Sequence, residues 1–265
     1  MGKKQLVVAI IFLCIAGVVG IDYLFFIKRD LPSVNGPDVG GQLGTGNHSD
    51  TEGNNTNPPT GAVLPRPPQD YAVLVDNEPA MRAEFREASK RKFNEVIETL
   101  REHPDSLWAW LDLASIKKSF NDLDGAEAIW LYATKLYPNH TVAYQNLGQL
   151  YWHNKIDYPK AEIMFLKVVE LDITAVGTYR DLADLYRYNY TAKKDQVDDL
   201  ILKGLKDNSE DPDLLSYLAF YYYETGDLAN SIKIYERLVK ANPSNTQARE
   251  DLEDLKAGRP IGSPN

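Results

Sequence analysis

The sequence is poor in the residues from which most catalytic and metal sites are built. Among its 265 residues there is a single cysteine, Cys14, so no disulfide can close within the chain and no cysteine cluster can hold zinc. The four histidines, His48, His103, His140 and His153, are scattered, with no His-x3-His pair. There is neither a Gly-rich phosphate loop nor a Gly-x-Ser-x-Gly elbow. Positive charge is also in deficit, since 29 Lys and Arg stand against 38 Asp and Glu for a net charge of −9. Binding to nucleic acid needs a basic face for phosphates, so nucleic acid is not an expected partner. These shortages point away from an enzyme, from cofactors and from metal.

What the chain does have is repetition. Trp110, Tyr144, Tyr179 and Leu215 are spaced by 34, 35 and 36 residues (144−110, 179−144, 215−179) and open the same word each time. It reads Trp110, Leu113, Ala114, Lys117; then Tyr144, Leu147, Gly148, Tyr151; then Tyr179, Leu182, Ala183, Tyr186; then Leu215, Leu218, Ala219, Tyr222. A second element follows as Ala126 with Trp130, Ala161 with Phe165, Val197 with Ile201 and Ser231 with Tyr235, and Pro138 and Pro243 close two of the units. Apolar residues recur at i, i+3, i+4 and i+7, so each unit is a pair of amphipathic helices. No pair can bury its apolar face alone, and stacked pairs share one core.

The pattern resembles the tetratricopeptide repeat, whose signature is W-x2-L-G-x2-Y, then A-x3-F, then P. Two departures stand out: Lys117 replaces the Tyr of unit 1, and Ile173 stands where unit 2 would carry its Pro. The resemblance implies an all-α fold, a solenoid of helix pairs over 77–257. A leading helix is expected over 78–102 with Asn77 as N-cap and Met81, Phe85, Ala88, Val96, Ile97 and Leu100 on one side. Units follow at about 107–140, 141–175, 176–211 and 212–245. A capping helix over 246–257 is expected to face inward with Ala248, Leu252 and Leu255 and outward with Arg249, Glu250, Asp251, Glu253 and Asp254, before a tail at 258–265.

Residues 6–27 are almost wholly apolar, broken only by Asp22 and small residues, and about 20 such residues cross a bilayer. Asp22-Tyr23-Leu24-Phe25-Phe26 follows the Gly-rich stretch, and aromatic bulk suits an uncleaved anchor better than a signal cleavage site. The expectation is a single-pass anchor within 1–30, with the repeats on the extracytoplasmic side of a bacterial cell membrane, because Lys3, Lys4 and the α-amino group before the span stand against Lys28 and Arg29 after it, and the next basic residue is Arg66. Residues 31–76, rich in Gly, Asn and Pro, read as a flexible linker with a short apolar run at 71–75.

In this family the concave groove is lined by first-helix residues between the packing positions. Here these are Trp108, Leu111, Ser115 and Lys118, then Gln145, Gln149 and Trp152, then Arg180, Asp184 and Arg187, then Ser216, Phe220 and Tyr223. Aromatics beside Arg and amides suit an extended peptide or a partner helix. Repeat domains that clamp chaperone tails use five polar residues, of which only Asn146 is matched; Leu111, Ser115, Gly177 and Asp181 depart. The resemblance thus implies a membrane-tethered scaffold or adaptor for a protein or peptide partner. The alternatives are an accessory factor of a cell-envelope or secretion complex and a non-catalytic enzyme subunit.

Overall fold

The computed structural model describes residues 64–262 and, among them, ten α-helices and no strand. Helix α1 (Ala83–Glu102) leads. Four antiparallel pairs follow: α2 (Leu107–Ser119) with α3 (Leu123–Leu136), α4 (Thr141–Gln149) with α5 (Tyr158–Leu171), α6 (Val176–Asp184) with α7 (Val197–Asp207), and α8 (Pro212–Glu224) with α9 (Leu228–Ala241). Helix α10 (Thr246–Lys256) packs on α9. Each helix touches the next, which is the connectivity of a solenoid. The expected span at 6–27 and most of the expected linker lie outside the described residues. No helix among the described residues is long and apolar enough to cross a membrane.

The repeated word is the core. Leu113, Leu147, Leu182 and Leu218 are fully buried, as are Ala114, Ala183 and Ala219 at the small position beside them. At Gly148 even a methyl group would come within 2.5 Å of the Phe165 ring, so unit 2 needs glycine for its helices to approach. Neighbouring units are joined by one repeated contact. The first-helix tyrosine donates its hydroxyl to a carboxylate on the preceding second helix: Tyr151 to Glu127 (2.6 Å), Tyr186 to Glu162, and Tyr222 to Asp198 (3.5 Å). Lys155 and Lys193 reinforce the first two of these carboxylates.

Unit 1 has no preceding pair, and Lys117 at its tyrosine position is explained by that. Its ammonium is buried, paired with Asp122 Oδ2 at 2.9 Å, and donates to the Val73 carbonyl. The segment that supplies this carbonyl runs along the first pair. Tyr132 donates its hydroxyl to Pro65 O (3.0 Å), Tyr71 packs edge-on against Trp110 at 5.1 Å, and Asn77 donates its N–H to Phe120 O (2.9 Å). Residues 64–76, read from composition as linker, are thus tied to unit 1 and cover its outer end.

Three details of the ends differ from the sequence reading. Asn77 does not cap α1; the helix starts six residues later behind Arg82, and the Asn77 N–H is bonded to Phe120 O. Phe85 is exposed under the Arg82 guanidinium (4.3 Å), and Ser89 and Phe93 are buried in its place. In α10 Asp251 and Asp254 face inward instead of outward. Asp251 accepts from Gln247 (2.8 Å) and Tyr235 (3.2 Å), and Asp254 is held by Arg259 (2.7 Å).

The drift of the period has a physical location. From the opening residue to the second-helix small position, units 1 and 4 take 16 residues (126−110, 231−215), unit 2 takes 17 (161−144) and unit 3 takes 18 (197−179). In units 2 and 3 the extra residue widens the last turn of the first helix. Residues Leu150–Asn154 and Leu185–Asn189 are π turns, closed by i to i+5 bonds from Lys155 N to Leu150 O (3.0 Å) and from Tyr190 N to Leu185 O (2.6 Å). The second extra residue of unit 3 lies in its connection, where Thr191–Gln196 forms a 3-10 helix.

Candidate functional site

Asp122, Asp157 and Asp227 cap the second helices of units 1, 2 and 4, each accepting a backbone N–H, so these pairs start in register. That register sets the first helices side by side. The eighth residue after each opening residue then forms one row along the first-helix face: Lys118, Trp152, Arg187 and Tyr223, all half-buried. Cation and aromatic alternate along it. The π turns carry the two middle members.

Polar groups cross between units along this face. Asp181 Oδ2 accepts from both Gln145 Nε2 and Gln149 Nε2 at 2.8 Å, and Thr178 donates to Gln145 Oε1 (2.9 Å). Trp152 Nε1 donates to Asn189 Oδ1 at 2.8 Å, which ties one π turn to the other. Tyr217 donates to Asp184 Oδ1 (2.7 Å). Burial pushes both Asp181 and Asp184 above the ordinary carboxylate range; the Gln145 and Tyr217 hydrogen bonds counter this in part. Burial and the Asp184 charge raise the Tyr217 hydroxyl, so it stays a donor.

The structure therefore divides the residues expected to line the groove. Gln145, Gln149 and Asp184 are joined across units and hold the face in shape. Arg187, expected to offer its guanidinium to a partner, is ion-paired with Glu224, leaves only 10% of its side chain exposed, and lies over Tyr188 (4.8 Å), Tyr221 (5.6 Å) and Phe220 (6.0 Å). Leu111 is buried and belongs to the core. Trp108 packs edge-on to His140 at 5.5 Å. Exposed or half-exposed surface remains at Ser115, Lys118, Trp152, Arg180, Ser216, Phe220 and Tyr223. Sequence reasoning passed over Asp181, Tyr217 and Asn189, whose partners lie one unit away. The 35-residue spacing of Asn154 and Asn189 was the available signal for the last.

His153 lies within the field of the Lys118 ammonium at the unit 1 end. Burial lowers the Lys118 pKa, and burial together with the Lys118 charge lowers that of His153, whose ring stacks on Trp152 at 4.2 Å. A separate, mostly polar depression at the within-unit turns is lined by Asn77, Asn121, Asp122, Leu123, Asp124, Lys155 and Asp157. Its acids are already taken: Asp122 by Lys117, Asp124 by Lys155 and Asp157 by Lys160. Among the described residues no cluster of His, Cys, Asp and Glu could hold a metal ion.

Residues 218–245, which span the end of α8 and all of α9, match the family model described as tetratricopeptide repeat. The match covers 28 of the 265 residues, most of unit 4, whose repeated word recurs in units 1 to 3. No curated protein sequence matches it. Among solved structures it is similar to MamA protein (22% identity, TM-score 0.43, covering 57% of this chain and 81% of that one). Another is YrrB, described as a tetratricopeptide-repeat protein with an unusual peptide-binding site (16%, 0.44, 62% and 82%). A third is pilF of Pseudomonas aeruginosa (16%, 0.47, 66% and 82%). At these identities and TM-scores the likeness says nothing of this chain's partners.

Proposed function

We propose that this chain is a non-enzymatic adaptor that binds a peptide or helical segment of a partner protein on the first-helix face of units 1 to 4. In this reading residues 6–27 tether it to a bacterial cell membrane, with the repeats on the extracytoplasmic side. One observation carries the binding part. Half-exposed rings at Trp152, Phe220 and Tyr223 stand on a face whose polar atoms are already joined across units, so little side-chain order is lost when a segment lies down on them. Arg180 extends that face as an exposed cation.

The test is direct. The full chain, held in lipid nanodiscs, is used to select binders from a random dodecapeptide library, and the affinity of the best peptide is measured by fluorescence anisotropy. Trp152→Ala and Phe220→Ala should each weaken it by roughly 1 to 3 kcal/mol, the range for an aromatic anchor at an interface. Unchanged affinity in both variants would move binding to another surface. For the tether, mass spectrometry should find residues 6–27 on the mature protein, which should resist carbonate extraction. A mature N-terminus between Gly20 and Pro37 would refute it.

A further inference from the structure

We propose that the unit 1 end of this face takes a side-chain carboxylate of the bound segment, held by Lys118; this rests on the binding face proposed above. Among the described residues ten Lys and Arg are buried or half-buried: Arg86, Lys90, Lys92, Lys117, Lys118, Lys155, Lys167, Arg187, Lys193 and Arg237. Nine have a carboxylate within 4.0 Å. Lys118 has none.

Taking an ammonium partly out of water without an opposite charge is unfavourable, and folded chains normally avoid it by pairing the group or turning it to solvent. The acids nearest Lys118 in the chain are engaged elsewhere: Asp112 with Lys92, Asp122 with Lys117, Asp124 with Lys155, and Glu127 with Tyr151 and Lys155. Its neighbour across the unit boundary, His153, supplies no negative charge. The other cation of the row, Arg187, is neutralised by Glu224. An incoming anion is therefore drawn to Lys118 and not to Arg187.

The occupant's chemistry follows from the surroundings. Lys118 is a point charge without the fork of a guanidinium, which suits one carboxylate oxygen. One unit along, the Trp152 ring is fixed by its bond to Asn189 and by His153 stacked on it at 4.2 Å, and the rest of the ring is half-exposed apolar surface. The segment that fits both is an acidic residue set beside an aromatic or leucine side chain.

The experiment again uses the full chain in nanodiscs, panned against random dodecapeptides with acetylated N-termini and amidated C-termini, so that every carboxylate is a side chain. The parent should enrich Asp or Glu next to an aromatic or leucine residue. Its best peptide should bind about tenfold or more weakly to Lys118→Gln, as expected for loss of a charged hydrogen bond, and normally to Lys118→Arg. Lys118→Glu should select Lys or Arg at the same place. If Lys118→Glu and Lys118→Gln keep the same acidic peptides at unchanged affinity while Trp152→Ala weakens them, the binding face stands and this inference is wrong. If no peptide is enriched, or if neither Trp152→Ala nor Phe220→Ala matters, both are wrong.

Discussion

Units 1 and 4 and units 2 and 3 are built on the same word but end their first helices differently. In unit 1 the chain turns at Asn121 (φ 56°) and in unit 4 at Gly226 (φ 82°), residue types that tolerate the left-handed conformation. Units 2 and 3 carry extra residues and end in π turns, and unit 2 then turns at Ile156 (φ 55°), a β-branched residue in a region that disfavours it. The end units thus follow helical propensity. The middle units depart from it at the residues, Trp152 and Arg187, that lie in the row along the first-helix face. Departures of this kind are often found where a protein binds something.

Substitutions can break or sharpen this contrast. The largest effect should come from the shared core: Leu147→Ala should lower stability by about 2 to 5 kcal/mol, read as the denaturation midpoint, because it removes a fully buried side chain. A midpoint that does not move would mean the repeat register is wrong. Gly148→Ala should cost about 1 to 3 kcal/mol through its clash with Phe165, although alanine is the natural residue at the same position in units 1, 3 and 4.

At the turn the sign reverses. Ile156→Gly should stabilise the array by up to about 1 kcal/mol, the relief of left-handed strain less the chain entropy of glycine. Ile156 is 57% exposed, so little burial is lost. A loss of stability would show that Ile156 is held there by packing.

The middle units should also respond to pH. Burial raises the folded-state pKa of Asp181 and Asp184 above the unfolded value, so the folded chain binds their protons more readily. Their contribution to stability is fully present below the unfolded value and is lost as pH rises through the folded one. The double variant Asp181→Asn, Asp184→Asn should therefore melt higher than the parent at neutral pH, with the gap closing on acidification. A gap that widens on acidification would contradict the assigned direction. The smallest effect is expected at Trp130, whose buried indole N–H has no hydrogen-bond partner among the described residues. Trp130→Phe should change stability by less than about 1 kcal/mol, as the relief of that donor offsets lost contact.

Much of this contrast was present in the sequence but only partly readable there. The core word reported the buried leucines because periodicity records which face is inside. The drift from 34 to 36 residues was equally visible, yet a spacing does not say whether an extra residue widens a helix or lengthens a loop. Lys117 stood out as a departure, but its partner, the Val73 carbonyl, is 44 residues away and carries no residue-type signal. Arg187 looked like a free groove cation because its neutralising acid, Glu224, lies in the next unit. Local patterns specify elements; contacts between units depend on how those elements stack.

The central claim is that the first-helix face, with its two π turns, is the binding surface. Hydrogen–deuterium exchange of the full chain in nanodiscs, with and without its best selected peptide, tests this most directly. The account predicts new protection in residues 108–118, 145–154, 180–189 and 216–224. Protection confined to the second helices, residues 123–136, 158–171 and 228–241, would contradict it.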